Sequence, residues 1–145
     1  MSEDFTLEEL VSLPNFYHQR VSPEGDKVAF YWDKTGRIEL YLMSLTDGSV
    51  RQLSDGQVSK SPRWPICWGV NGDYIYYHLD ESGNEQNNIH RISLESGETE
   101  PVVTLKGQNI IGRPSPDGRY LCFNSDHGKQ MNVFLKELPD GATHQ

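Results

Sequence analysis

Cysteine is scarce: two in 145 residues, too few for a disulfide framework. Cys67 lies between Ile66 and Trp68, and Cys122 between Leu121 and Phe123. Both read as buried strand residues rather than nucleophiles, so free thiols in a reducing compartment are expected. Basic residues are also few: 13 Lys and Arg stand against 21 Asp and Glu, a formal net charge of −8. Phosphate-backbone binding needs clustered Lys and Arg, so nucleic acid is not an expected partner. Mean hydropathy is −0.65, and no run approaches the roughly 20 apolar residues of a membrane span. No cationic segment followed by an apolar one opens the chain, so no secretory signal is read and a cytoplasmic location is expected. The length suits one modest domain or a piece of one.

Catalytic constellations are missing as well. A serine hydrolase needs a Gly-x-Ser-x-Gly elbow, and no such pentapeptide occurs; Ser96-Gly97 lies in a hairpin without the preceding glycine. The histidines His18, His78, His90, His127 and His144 include no i, i+4 pair, and there is no Cys-x-x-Cys, so a zinc site is not expected. The segment Asp80 to Asn88 is rich in oxygen ligands but lacks EF-hand spacing, and it reads as a solvated hairpin. No catalytic, cofactor-binding or metal residues are therefore assigned.

What is present is a repeat. Ser22-Pro23-Glu24-Gly25-Asp26, Gly69-Val70-Asn71-Gly72-Asp73 and Ser115-Pro116-Asp117-Gly118-Arg119 each precede a run of aromatic and β-branched residues. The anchoring glycines stand 72 − 25 = 47 and 118 − 72 = 46 residues apart. Downstream markers keep the same phase. Asp33 to Gly36 matches Asp80 to Gly83 and, more loosely, Ser125 to Gly128. A second strand pattern follows at Glu39 to Leu45, Asn88 to Leu94 and Asn132 to Leu138, closed by turns at Gly48, Gly97 and Gly141.

The physics of one unit is a small antiparallel sheet. Proline presets φ and glycine accepts positive φ, so Ser-Pro-Asp/Glu-Gly makes a tight turn between strands. A further strand follows at Val50 to Leu53 and at Pro101 to Leu105. The innermost strand precedes each turn, at about Phe16 to Val21, Ser61 to Cys67 and Asn109 to Arg113. Four strands in about 45 residues is one blade of a β-propeller. The fold expected is all-β: three four-stranded blades at about 16–58, 59–106 and 107–145, behind a short N-terminal helix in 1–15. Trp32-Asp33 is a WD dipeptide, but it precedes a turn rather than closing a strand, and no Gly-His exists. It is read as chance. The aromatic set Tyr31, Trp64, Trp68, Tyr76 and Tyr77 is expected mostly between blades, with a minority near the central channel.

These Ser-Pro-Asp-Gly units resemble the propeller repeats of TolB and of the N-terminal propellers of prolyl-oligopeptidase-family serine peptidases. The phrase Leu40-Tyr41-Leu42 followed by Leu45 and Asp47-Gly48 is most similar to the peptidase propellers. The resemblance implies a non-catalytic module that caps a peptidase site and filters substrates, the α/β-hydrolase domain lying elsewhere. The alternative is a TolB-like scaffold binding a protein or peptide partner. The paired glutamates that hold a substrate amine in dipeptidyl peptidases are not assigned to Glu8-Glu9, which stand in the leading helix.

In that helix Thr6-x-x-Glu9 matches a capping box, Leu7, Leu10 and Val11 share a face, and Pro14 stops the turn. A helix packed on the propeller rim is expected, and a docking segment for another domain is the alternative. At the other end Gln145 aligns with Gln52 of the first unit, so the third blade is expected to be truncated in its outer strand. Three blades fall short of the roughly four to eight that close a ring. Leaving several hundred Å² of apolar blade face wet at roughly 25 cal/mol per Å² costs several kcal/mol, comparable to the stability of a small domain. The expected partners are therefore a missing part of the same protein or a second copy that completes six blades, with a peptide as a possible ligand.

Overall fold

The computed structural model describes residues 6–80 and 86–145. A short helix α1 (Leu7–Val11) precedes three antiparallel sheets. The first holds β1 (Phe16–Val21), β2 (Lys27–Trp32), β3 (Glu39–Ser44) and β4 (Val50–Gln52) in that order. The second holds β5 (Cys67–Trp68), β6 (Tyr74–Asp80), β7 (Asn87–Ser93) and β8 (Thr99–Val103). The third holds β9 (Asn109–Pro114), β10 (Tyr120–Ser125), β11 (Asn132–Glu137) and β12 (Thr143–His144). These are blades of a propeller, each a meander from its inner to its outer strand.

The repeat turns explain the phase. In the first blade Ser22 O accepts from Gly25 N–H at 3.0 Å, and Ser22 Oγ accepts from Lys27 N–H at 3.0 Å. In the third, Ser115 O accepts from Gly118 N–H at 2.8 Å, and Ser115 Oγ from Tyr120 N–H at 3.0 Å. The second keeps the backbone bond, Gly72 N–H to Gly69 O at 3.0 Å, and has no serine hydroxyl to add. Gly25, Gly72 and Gly118 share φ of 76°, 71° and 71°, the left-handed region where only glycine escapes strain.

Strand alternation sends one face of each blade to its neighbour. Ala29, Tyr31, Leu40 and Leu42 of the first blade meet Trp68, Ile75, Tyr77 and Ile92 of the second in one core. Tyr76, Ile89 and Val103 of the second meet Ile111, Leu121, Phe123 and Phe134 of the third in another. Side chains also tie blades to backbone. The Trp68 indole N–H donates to Arg20 O at 2.9 Å, Arg51 to Leu94 O at 3.0 Å, and Asn109 Nδ2 to Asn87 O at 2.8 Å. His78 Nε2 accepts from Ile111 N–H at 3.0 Å. The aromatic set divides accordingly: Tyr31, Tyr77, Trp68 and Tyr76 fill the two cores, while Trp64 lies outside both, near His78.

Four expectations need correction. The inner strand of the second blade is only Cys67–Trp68, not Ser61 to Cys67, because Pro62 and Pro65 lack the N–H that a ladder requires. The third blade's inner strand runs on to Pro114 over an irregularity opposite Leu121 and Phe123. The helix is not packed on the rim through Leu7 and Val11, which are 76% and 73% exposed. Its capping box forms, Glu9 N–H donating to Thr6 Oγ at 3.1 Å and Thr6 N–H to Glu9 Oε2 at 2.8 Å. Finally, both cysteines are half-buried rather than buried: Cys67 stands on the innermost strand and Cys122 opposite Leu135 on the outward face of the third blade. The Glu81–Glu85 part of the expected oxygen-rich hairpin lies outside the described residues.

Burial holds His78 neutral and pushes its pKa from 6.5 down to about 3, with His18 adding a smaller push the same way. Below pH 6.5 the unfolded chain takes up a proton that the folded chain refuses. Stability from this group is therefore complete above pH 6.5 and is lost as pH falls toward 3. The unfolding free energy from denaturant titrations between pH 6.5 and 4 should fall with a slope of up to ~1.4 kcal/mol per pH unit from this residue. In His78→Gln, whose amide oxygen can still accept from Ile111 N–H, the slope should flatten by about one proton; equal slopes would refute the assignment.

Candidate functional site

The inner strands of the blades share one wall. β1, β5 and β9 enclose a groove of ≈ 490 Å³ near the Ser-Pro turns. Counting back from each turn, Arg20, Cys67 and Arg113 occupy equivalent positions on the three strands. Val21, Ile66, Trp68 and Ile111 supply apolar lining. Trp68 is held by its bond to Arg20 O, so the ring that separates the first two blades also fixes the backbone beneath the arginine.

Two local features shape this wall. β1 carries a register shift between Tyr17 and Arg20, and His18 at that point has φ of 54°. The bulge sends the His18 imidazole to Pro62 O at 2.6 Å, tying the first inner strand to the connection before the second. On β9, a Cβ at Gly112 would meet Cys122 O at 2.6 Å. Glycine is required there because β9 and β10 approach so closely.

The groove mixes apolar contact with positive charge. Arg20 and Arg113 are exposed, and Arg20 donates only to the adjacent Gln19 O, at 2.9 Å, among its described side-chain bonds. Burial raises the Cys67 thiol pKa, and the neighbouring Arg113 and Arg20 offset this only in part. Cys67 is therefore a protonated, weakly nucleophilic wall residue rather than an activated thiolate. Among the described residues no three His, Cys, Asp or Glu side chains converge to hold a metal ion. What this geometry can do chemically is hold an extended chain against an apolar floor between two cations.

The sequence expectation locates the inner strands of the first and third blades and only the end of the second, and no residue of this wall is assigned from it. The signal available was the register itself: the position two before each repeat turn (Ser22, Gly69, Ser115) is Arg, Cys or Arg. His18 and Gly112 could not be found that way, since their roles depend on bulges.

No family model matches the sequence. Over 123 residues, 85% of this chain, it is 26% identical to a protein of Chlorobium luteolum described as a TolB homolog, covering 27% of that protein. The structure of TolB from Acinetobacter baumannii matches 90% of the chain with a TM-score of 0.76 and 18% identity, over 32% of its own length. A prolyl endopeptidase structure matches 90% of the chain with a TM-score of 0.63 and 17% identity, over 21% of its length. The fold is thus the propeller fold of TolB and of peptidase propeller domains. The chain spans between a fifth and a third of the length of each of these proteins.

The thiol makes the wall testable. In a Cys122→Ser background, iodoacetamide should alkylate Cys67 at pH 7.5 more slowly than it alkylates glutathione. Adding Arg113→Gln should slow it further, because one of the two charges favouring thiolate is gone. Alkylation faster than glutathione would mean an activated cysteine and a different site.

Proposed function

We propose that the chain is a non-catalytic propeller module whose inner wall holds an extended segment of a protein or peptide partner. The observation that carries this reading is the groove along β1, β5 and β9, where an apolar floor lies between Arg20 and Arg113. In a chain of net charge −8, two exposed arginines on one concave wall favour an acidic partner. The 26% identity to a TolB homolog over most of the chain supports a scaffold role. This reverses the order read from the Leu40-Tyr41-Leu42 phrase. Gating within a prolyl-oligopeptidase-like peptidase is the second reading, favoured by the fold likeness to the prolyl endopeptidase. The unpaired Cys67 and Cys122 suit a cytoplasmic location.

The proposal extends to what covers the outer blade faces. On the third blade Val133 and Leu135 are 59% and 42% exposed, on the side where a fourth blade would pack. On the first, Phe16 stacks on Trp32 at 5.0 Å and Phe30 on Tyr41 at 6.1 Å, in a half-open aromatic layer. Further blades, from adjoining sequence or a second copy, would bury both. For this chain alone, self-association is expected.

Light scattering after size exclusion should give twice 16.5 kDa; a monodisperse monomer that binds no hydrophobic dye would refute the face argument. A fluorescent decapeptide alternating Glu and Leu should bind more tightly than its Lys counterpart, and Arg20→Ser with Arg113→Ser should abolish the preference. Equal binding of both peptides by the unmutated chain would overturn the wall as an acidic-partner site.

A further inference from the structure

A second crevice, of ≈ 190 Å³, opens at the opposite end of the blades, where the connection from β4 to β5 crosses the end of β6. Tyr31, Ser59, Ser61, Trp64, His78 and Asp80 line it, with Arg63 at its edge. The His78 side chain belongs to a residue only 4% exposed. Its Nε2 accepts from Ile111 N–H, so in the neutral ring the proton sits on Nδ1, which must donate. That Nδ1 is buried with no partner among the described residues, and the same holds for Trp64 Nε1. The two ring centroids are 6.2 Å apart.

Two unmet donors in one crevice depart from the rule that buried donors are paired. Ser59 Oγ is already engaged: it donates to His78 O at 3.3 Å and accepts from Asp80 N–H at 3.0 Å. The Arg63 guanidinium lies 5.2 Å over the Trp64 ring, so positive charge borders the indole. Asp80 contributes the opposing charge on the side of β6. A ligand that fits must offer bare acceptor oxygens and fill a volume of a few non-hydrogen atoms.

The geometry points to a carboxylate-binding site in which Trp64 Nε1–H and His78 Nδ1–H donate to the carboxylate oxygens and Arg63 balances its charge. A carboxylate is the simplest group that accepts at two points and brings no donor of its own. Its source is a small free carboxylic acid or the C-terminus of a peptide. This inference does not depend on the inner-wall reading, because the two sites lie at opposite ends of the blades.

Nitrogen–proton correlation spectra of the full chain test it, with the Trp64 indole resonance identified by its loss in Trp64→Phe. Three probes are titrated: acetate, trialanine with a free C-terminus, and trialanine amide. The Trp64 signal should move downfield and saturate with acetate, with free trialanine, or with both, and tighter binding of one identifies the source. Trp64→Phe, followed through the His78 ring signals, should weaken binding about tenfold, as loss of one hydrogen bond to a charged acceptor implies. Equal response to trialanine amide would overturn the carboxylate assignment. No saturable shift with any probe would mean that water alone meets the donors, and would overturn the site.

Discussion

A four-stranded sheet built from alternating large apolar residues cannot hide both faces by itself. Everything else in this molecule follows from that constraint. The cores are not inside blades but between them: Tyr31 and Leu40 are covered by Ile75 and Tyr77, and Ile89 by Leu121 and Phe123. The blade is thus the unit of sequence and the gap between blades is the unit of stability. Tyr31, Tyr77 and Phe123 stand on the second strand of their blades and fill these gaps, beside the inner strands that line the concave wall.

The two flanking faces meet the same constraint differently. The first blade's outward face is paved with rings that cover one another: Trp32 meets Tyr41 edge-on at 5.2 Å, and Lys34 Nζ lies 4.9 Å over Trp32. Phe30 and Tyr41 are buried there without a neighbouring blade. The third blade's outward face has no such paving, and Cys122 and Asn124 stand opposite Leu135 and Val133. One flank is therefore mainly aromatic, and the other carries the exposed aliphatic side chains of Val133 and Leu135.

The fold was legible because its markers are local. A serine, a proline and a glycine within four residues set the first and third turns, Asn71-Gly72 sets the second, and the spacing of the three gives the length of a blade. The misread elements depend on distant neighbours. The connection holding Pro62 and Pro65 takes a strand reading from its place just before the repeat turn; it instead folds over His18 and His78. The cysteines have equally apolar neighbours in sequence, yet which face of a strand a residue presents is settled by the adjoining blade. The unmet donors of His78 and Trp64 were invisible for the same reason: Ile111, which claims the other His78 nitrogen, stands 33 positions away.

The side-chain ties described between blades all join immediate neighbours: Trp68 reaches Arg20, Arg51 reaches Leu94, and Asn109 reaches Asn87. Such wiring is serial. Load applied along the polypeptide would be borne by one seam at a time, and the seam that opened would relieve the rest. The described ties of one seam share no residue with those of the other, so loss of one seam leaves the other seam's side-chain bonds in place.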